Sequence, residues 1–269
     1  MFAAWITWVG SWIWPTTTHK HVIRDRYASV EALQEALRRA GLESCNLVVA
    51  MDYTKSNEKS GMRTFGGQSL HTLSPHCLNP YQTALRVLGQ TLEPFDDDRL
   101  IPVMGFGDER TKGKKVFWFK GKRGEPCRGF QEALECYAQI TPEIQLSGPT
   151  SFAPAIHEAM TIVRQTGQFH LLVIIADGQV TDLGETRAAI VAASALPMAI
   201  LVVGVGDGHW DEMERFDDEL PERKFDNLNF VNFHEMMTKY DADLVAFTTE
   251  ALAELPAQFK EVRRLGLLQ

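Results

Sequence analysis

Phe169-His-Leu-Leu-Val-Ile-Ile-Ala176, followed at once by Asp177-Gly178, is the stretch that decides the fold of this chain. A continuous apolar run rich in β-branched residues, closed by a turn dipeptide, is what a strand buried on both faces requires. Such strands pair in parallel and need helical crossovers, and the flanking sequence supplies them. Towards the N-terminus, residues 152–166 read as a helix after the Gly148-Pro149 break, and residues 129–140 as another. Leu100 to Gly107 and Asn46 to Met51 are further buried strands, while Val116 to Phe119, between basic turns, reads as a short edge strand. Asn79-Pro80 opens a helix with Ala84, Leu85, Leu88 and Leu92 on one face. Ser29 caps another, with Val30, Leu33, Ala36 and Leu37 at helical spacing, ending before Gly41. Towards the C-terminus come a helix at about 184–194, a strand from Met198 to Val203, a helical turn near Trp210, a strand at Asn229–Asn232, and one helix from about Asp241. The pattern predicts an α/β fold of Rossmann-like type. Its central sheet is mostly parallel with one short antiparallel edge strand, and helices cover both faces in a single domain over 27–269.

Composition narrows the function. The chain has 269 residues, 45% of them hydrophobic, enough for a sizeable core. Its 35 acidic residues outnumber 27 basic ones, for a net charge of −8, which argues against nucleic acid or an anionic membrane as partner. Lys112, Lys114, Lys115, Lys120, Lys122 and Arg123 cluster in one Gly-containing stretch, for which a solvated hairpin is a sufficient account. Cys45, Cys77, Cys127 and Cys136 form no C-x-x-C pair and no zinc spacing, as expected of reduced thiols in a cytoplasmic protein. Residues 1–26 read as a disordered leader. Its run through Trp5, Trp8, Trp12 and Trp14 falls short of the roughly 20 residues a membrane span needs. Phe2 excludes N-myristoylation, leaving an interfacial tryptophan anchor as the membrane alternative.

In open α/β sheets, ligands bind beyond the carboxyl ends of strands, where strand order reverses. Asp52-Tyr53-Thr54-Lys55-Ser56 follows the first strand, and Asp177-Gly178 follows the strongest one. A hard divalent cation takes oxygen ligands, and Mg²⁺ takes about six of them in an octahedron, several from water. In a loop, the alternate spacing of Asp52, Thr54 and Ser56 turns both hydroxyls to the side of the carboxylate. Asp177 reaches the same place from the next strand end, and Thr150, in Ser147-Gly-Pro-Thr-Ser151, adds a hydroxyl before a helix. Each residue alone has a plainer role: an Asx turn for Asp52, a tight turn for Asp177-Gly178, a helix cap for Thr150. Their joint placement on one rim favours a metal site.

These stretches resemble the von Willebrand factor A domain, in the copine-like branch shared by copines and plant RING-containing ligases. The matching segments are Asn46 to Asn57, Asn79 to Ala84, Leu100 to Asp108, Gly148 to Ile156, Asp177 to Asp182 and Phe216 to Asn227, in order along residues 27 to 260. The resemblance implies a metal-ion-dependent adhesion site, with Asp52, Thr54 and Ser56 on its first loop, Thr150 on its second and Asp177 on its third. The family usually has serine where this chain has Thr54, whose hydroxyl also coordinates. The expected cofactor is one divalent cation, Mg²⁺ first and Mn²⁺ or Ca²⁺ as substitutes, completed by an exposed Asp or Glu of a partner protein. Copines carry two C2 domains that 26 residues cannot hold, so calcium-driven membrane docking is not expected. The plant ligases end in a RING whose cysteines are absent here, so the chain by itself is not expected to transfer ubiquitin.

Two other classes fit the sequence less well. Phosphoryl transfer of the haloacid-dehalogenase type needs a second Asp two residues after the nucleophile, where this chain has Thr54. Dinucleotide binding is contradicted by Arg110 and His209, which stand where G-x-G-x-x-G needs its last glycine. The histidines are scattered, with His157 and His170 read as ordinary helix and strand residues. A metal-independent scaffold of a ubiquitin-ligase assembly stands as the remaining alternative.

Overall fold

The expected central strand is β5, His170–Ala176, buried at every residue. It belongs to a computed structural model that describes residues 29–42, 45–96, 98–178, 180–218, 220, 222–239 and 243–268; the expected leader lies outside them. On one side β5 pairs in parallel with β1, Asn46–Asp52, in a register that sets Met51 against Ile175. On the other it pairs with β6, Met198–Gly204, which pairs with β7, Leu228–Asn232. β1 also pairs with β2, Leu100–Phe106, so the sheet runs outward from β1 in both directions. That reversal lies between β1 and β5, and the carboxyl ends of these two strands border the crevice that such a switch creates.

The expected antiparallel edge strand is β3, Val116–Trp118, on the outer side of β2. A second short strand, β4, Pro126–Arg128, pairs antiparallel with the start of β2, which the sequence pattern did not reveal. Three residues holding a proline carry too little periodicity to signal a strand.

Alternation along the strands sorts the core. Leu47, Val49, Met51, Leu171, Val173 and Ile175 face one hydrophobic cluster, and Val48, Ala50, Leu172, Ile174 and Ala176 face the other. The first cluster is closed by α1 (Val30–Ala40), α2 (Pro80–Leu92), α3 (Gly129–Ile140) and the C-terminal helices. The second is closed by α4 (Ala153–Thr166), α5 (Leu183–Ala193) and α6 (Asp211–Asp218). Local chemistry starts and stops these helices as expected. Ser29 accepts the Ala32 N–H at 3.2 Å, Gly41 ends α1 in the left-handed region, and Asn79 and Gln82 form a reciprocal capping box on α2.

Directly after β7 stands α7 (Phe233–Lys239), which the sequence pattern did not reveal, and the expected C-terminal helix from about Asp241 is instead two: α8 (Leu244–Ala251) and α9 (Leu255–Arg264). Pro256 sits in the first turn of α9, where its missing N–H is harmless, whereas it would break a continuous helix. Folding back lets α9 press Phe259 edge-on against Phe169, with centroids 5.1 Å apart. The cysteines are free thiols. No helix among the described residues is long and apolar enough to cross a membrane.

Ile174, fully buried at the centre of the sheet, tests this account. Chemical denaturation of Ile174→Ala is expected to show a loss of about 2–5 kcal/mol.

Candidate metal centre

β1 ends on Asp52 and β5 ends just before Asp177, so parallel pairing sets two carboxylates side by side at the switch point. Both are buried, Asp52 at 0% and Asp177 at 1% exposure. Burial foremost, then the charge of Asp177, pushes the Asp52 carboxyl well above the ordinary range. Burial also raises Asp177, against the pull of hydroxyl hydrogen bonds from Ser60 and Ser56.

The first loop wraps around this pair. Asp52 Oδ1 accepts the Thr54 N–H at 2.7 Å, while Oδ2 is buried with no N–H or O–H to accept from, and the carboxyl groups of Asp52 and Asp177 are themselves in contact. Thr54 Oγ1 lies 3.0 Å from Ser56 Oγ, which donates to Asp177 Oδ1 at 2.9 Å. Asp52, Thr54, Ser56 and Asp177 thus meet in one cluster, open to solvent at the exposed Ser56. Thr150 lies on the adjoining loop. Its N–H donates to Thr181 Oγ1 at 3.0 Å and its carbonyl accepts the Thr181 N–H at 2.9 Å. Its hydroxyl makes no hydrogen bond to the other four and does not cap α4, whose N-cap is Phe152. The two loops are joined by the Lys55 N–H, which donates to the Ser147 carbonyl at 2.6 Å.

Several residues that the sequence did not single out hold the cluster. Ser60 donates to Asp177 Oδ2 at 2.7 Å, one turn beyond Ser56, a contact with no local signature. His71 is stacked between Tyr53 and Tyr81, with ring centroids 4.4 and 4.2 Å away. Its Nε2 lies 2.8 Å from the Asp52 carbonyl oxygen, which can only accept, so Nε2 carries the proton. Nδ1 then accepts from the Tyr137 hydroxyl at 2.8 Å, and burial lowers the His71 pKa to about 4, keeping the ring neutral. Asn57 Nδ2 donates to the Thr54 carbonyl at 3.0 Å and its Oδ1 accepts from Tyr81 at 2.8 Å. His157 is an exposed residue of α4, and buried His170 opens β5 with Nδ1 3.0 Å from the Gln168 carbonyl, so both are as ordinary as expected.

Gly107 completes the site from β2. Its φ is +83°, and a Cβ there would stand 2.3 Å from Thr54 Cγ2 and 3.5 Å from Asp52 Oδ1. Only glycine lets the chain pass that close.

The donor set suits a hard cation. No three of His, Cys, Asp and Glu gather into a metal cluster among the described residues. The cluster is instead two carboxylates with hydroxyls, oxygen ligands throughout, and Asp52 Oδ2, with no donor to accept from, is the atom such an ion would satisfy.

Comparison with known proteins gives the family. The family described as Copine matches residues 69–269. The chain is 48% identical to the E3 ubiquitin-protein ligase RGLG4 of Arabidopsis thaliana, covering 92% of itself and 65% of that protein. It is 50% identical to RGLG2 of the same plant, covering 91% of itself and 56% of that protein. To Copine family protein 1 of Caenorhabditis elegans it is 49% identical, covering 89% of itself and 22% of that protein. The chain therefore spans less than two thirds of each of these relatives. A von Willebrand factor type A protein from Catenulispora acidiphila aligns at 14% identity and a TM-score of 0.48, over 77% of this chain and 43% of that one. That likeness is too remote to bear on the site.

Gly107→Ala is expected to lose about 1–3 kcal/mol of stability, through left-handed strain and the clash with Thr54. Denaturation with and without Mg²⁺ should show the larger loss in its presence, because Thr54 is displaced; equal losses would detach Gly107 from the metal loop.

Proposed function

We propose that this chain, which belongs to the copine family, captures partner proteins by presenting a divalent cation to a partner's Asp or Glu carboxylate. The observation that carries the reading is the buried Asp52 Oδ2, with no donor to accept from, set beside the buried carboxylate of Asp177. Two carboxylates taken out of water at adjoining strand ends are costly unless a proton or a cation neutralises them, and a cation serves both at once. Asp52, Thr54, Ser56 and Asp177 would hold it, with Thr150 as the remaining hydroxyl on the neighbouring loop. When bound, the ion supplies a Lewis-acidic position on the rim for an anionic oxygen.

The chain's own residues prepare that position. Thr54 and Ser56 are held in line by their mutual hydrogen bond, and Ser60 and Ser56 orient Asp177. His71 and Asn57 fix the backbone carbonyls of Asp52 and Thr54, so the loop does not need ordering on binding. Mg²⁺ suits this compact set, with Mn²⁺ and Ca²⁺ as substitutes. The names of the plant relatives favour a setting in ubiquitin-ligase assemblies, where this chain's part is to hold a partner rather than to transfer ubiquitin. A cytoplasmic location accords with the free cysteines.

Thermal unfolding tests the reading. A cation at about 100 times its Kd stabilises the folded state by about 2.7 kcal/mol, and Mg²⁺ should raise the melting temperature accordingly. Asp52→Ala and Asp177→Ala should lose that rise. Asp177→Asn, which removes the charge and keeps an acceptor, should melt above the wild type in EDTA yet gain nothing from Mg²⁺. A melt unmoved by Mg²⁺, Mn²⁺ or Ca²⁺ at millimolar concentration would leave the chain a metal-independent scaffold.

A further inference from the structure

The basic stretch read from sequence as one solvated hairpin divides in the structure. Lys120, Lys122 and Arg123 are each committed to an acid: Glu132, Glu125 at 4.0 Å and Glu158 at 2.9 Å. Lys112, Lys114 and Lys115 are exposed and make no ion pair with a described residue, as does Arg110 beside them. These four occupy the turn after β2, and that turn is built against the metal loops. Asp108 shapes it by accepting the Thr111 N–H at 3.0 Å, and the Lys112 N–H donates to the Asp108 carbonyl at 2.9 Å. Asp108 also bridges to Leu146, next to Ser147. Gly113, at φ +66°, lies so close to the second loop that a Cβ would stand 2.7 Å from the Pro149 carbonyl oxygen. On the first loop, Lys55 and Lys59 stand on either side of Ser56 in sequence, also exposed and without an ion pair to a described residue.

Six exposed cations therefore lie on the first loop and on the turn packed against the second, against Glu58 and Glu109 as exposed acids in the same two segments; the third loop adds the half-buried Asp182 and the exposed Glu185. The chain as a whole carries net charge −8, so this is a local inversion of its character. One cation-bound carboxylate does not require such a rim. Unpaired cations fixed on ordered loops beside it raise the local potential for further negative charge, steering the approach of a partner and selecting its sequence.

We propose that the partner segment is acidic along its length: one Asp or Glu at the metal position, flanked by further carboxylates that meet Lys55 and Lys59 of the first loop and Arg110, Lys112, Lys114 and Lys115 of the turn after β2. This rests on the metal reading above and names the class of protein segment that the site selects.

Two synthetic peptides test it by fluorescence anisotropy in Mg²⁺: one with a single Asp among Gly and Ser, the other with Asp and Glu on both sides of that Asp. Wild type should bind the acidic peptide about tenfold more tightly, and the preference should collapse between about 0.05 M and about 0.5 M salt. Lys112→Gln/Lys114→Gln/Lys115→Gln should lose most of the preference while keeping the Mg²⁺-induced rise in melting temperature. Mg²⁺-dependent binding of both peptides without preference overturns the cationic rim and leaves the metal reading intact. Salt-sensitive binding of the acidic peptide that persists in EDTA and in Asp177→Ala supports the rim and overturns the metal reading. Binding to phosphatidylserine vesicles with none to either peptide overturns the proposal in favour of an anionic membrane.

Discussion

Two carboxylates buried at adjoining strand ends set the terms for everything around them. Parallel pairing of β1 and β5 carries Asp52 and Asp177 into one dry corner, where burial penalises the charge of both and Asp177 adds to the cost of ionising Asp52. The surrounding loops answer that cost. Thr54 gives its N–H to Asp52, and Ser56 and Ser60 give hydroxyls to the two oxygens of Asp177. One oxygen, Asp52 Oδ2, is left with no donor to accept from, and that is the atom the proposed cation would satisfy.

The demand reaches deep into the fold. His71 links the Asp52 carbonyl to Tyr137 on α3, and Asn57 links the carbonyls of Asp52 and Thr54 to Tyr81 on α2. Tyr53 anchors to Thr141, and Asn79 both caps α2 and donates to Tyr137. A polar network this buried is worth having only when every member is satisfied. Its effect is to make the first loop an extension of the core, so that the oxygens it presents are held in place by the packing beneath them.

Electrostatics outside the core are arranged with a different logic. The −8 charge is spread over the surface, while the turn after β2 and the first loop bring unpaired cations to the rim of the site. The same fold therefore gathers negative charge inside the site and positive charge around it. The first suits a cation, and the second suits an acidic segment approaching that cation. Membership of the copine family places this arrangement on a scaffold shared by proteins of quite different length, since the chain spans 65% of one relative and 22% of another.

Much of this was legible without coordinates. The apolar runs of β1, β2, β5 and β6, the caps at Ser29 and Asn79, and the strand-end positions of Asp52 and Asp177 are written in consecutive residues, because burial and capping are local demands. The alternate spacing of Asp52, Thr54 and Ser56 was legible for the same reason. What the sequence could not disclose depends on residues far apart along the chain. Ser60 meets Asp177 across 117 positions, and His71 reaches back 19 to the Asp52 carbonyl. Three residues were too few to announce β4, and Pro256 marked a new helix only once the chain had turned back on α1. The basic stretch looked uniform until folding gave Lys120, Lys122 and Arg123 acids to pair with and left Lys112, Lys114 and Lys115, beside the second loop, without an acid among the described residues. Periodicity and local chemistry set the elements and their ends; which side chains met across those ends was decided by strand order and loop packing, which no stretch of neighbouring residues encodes.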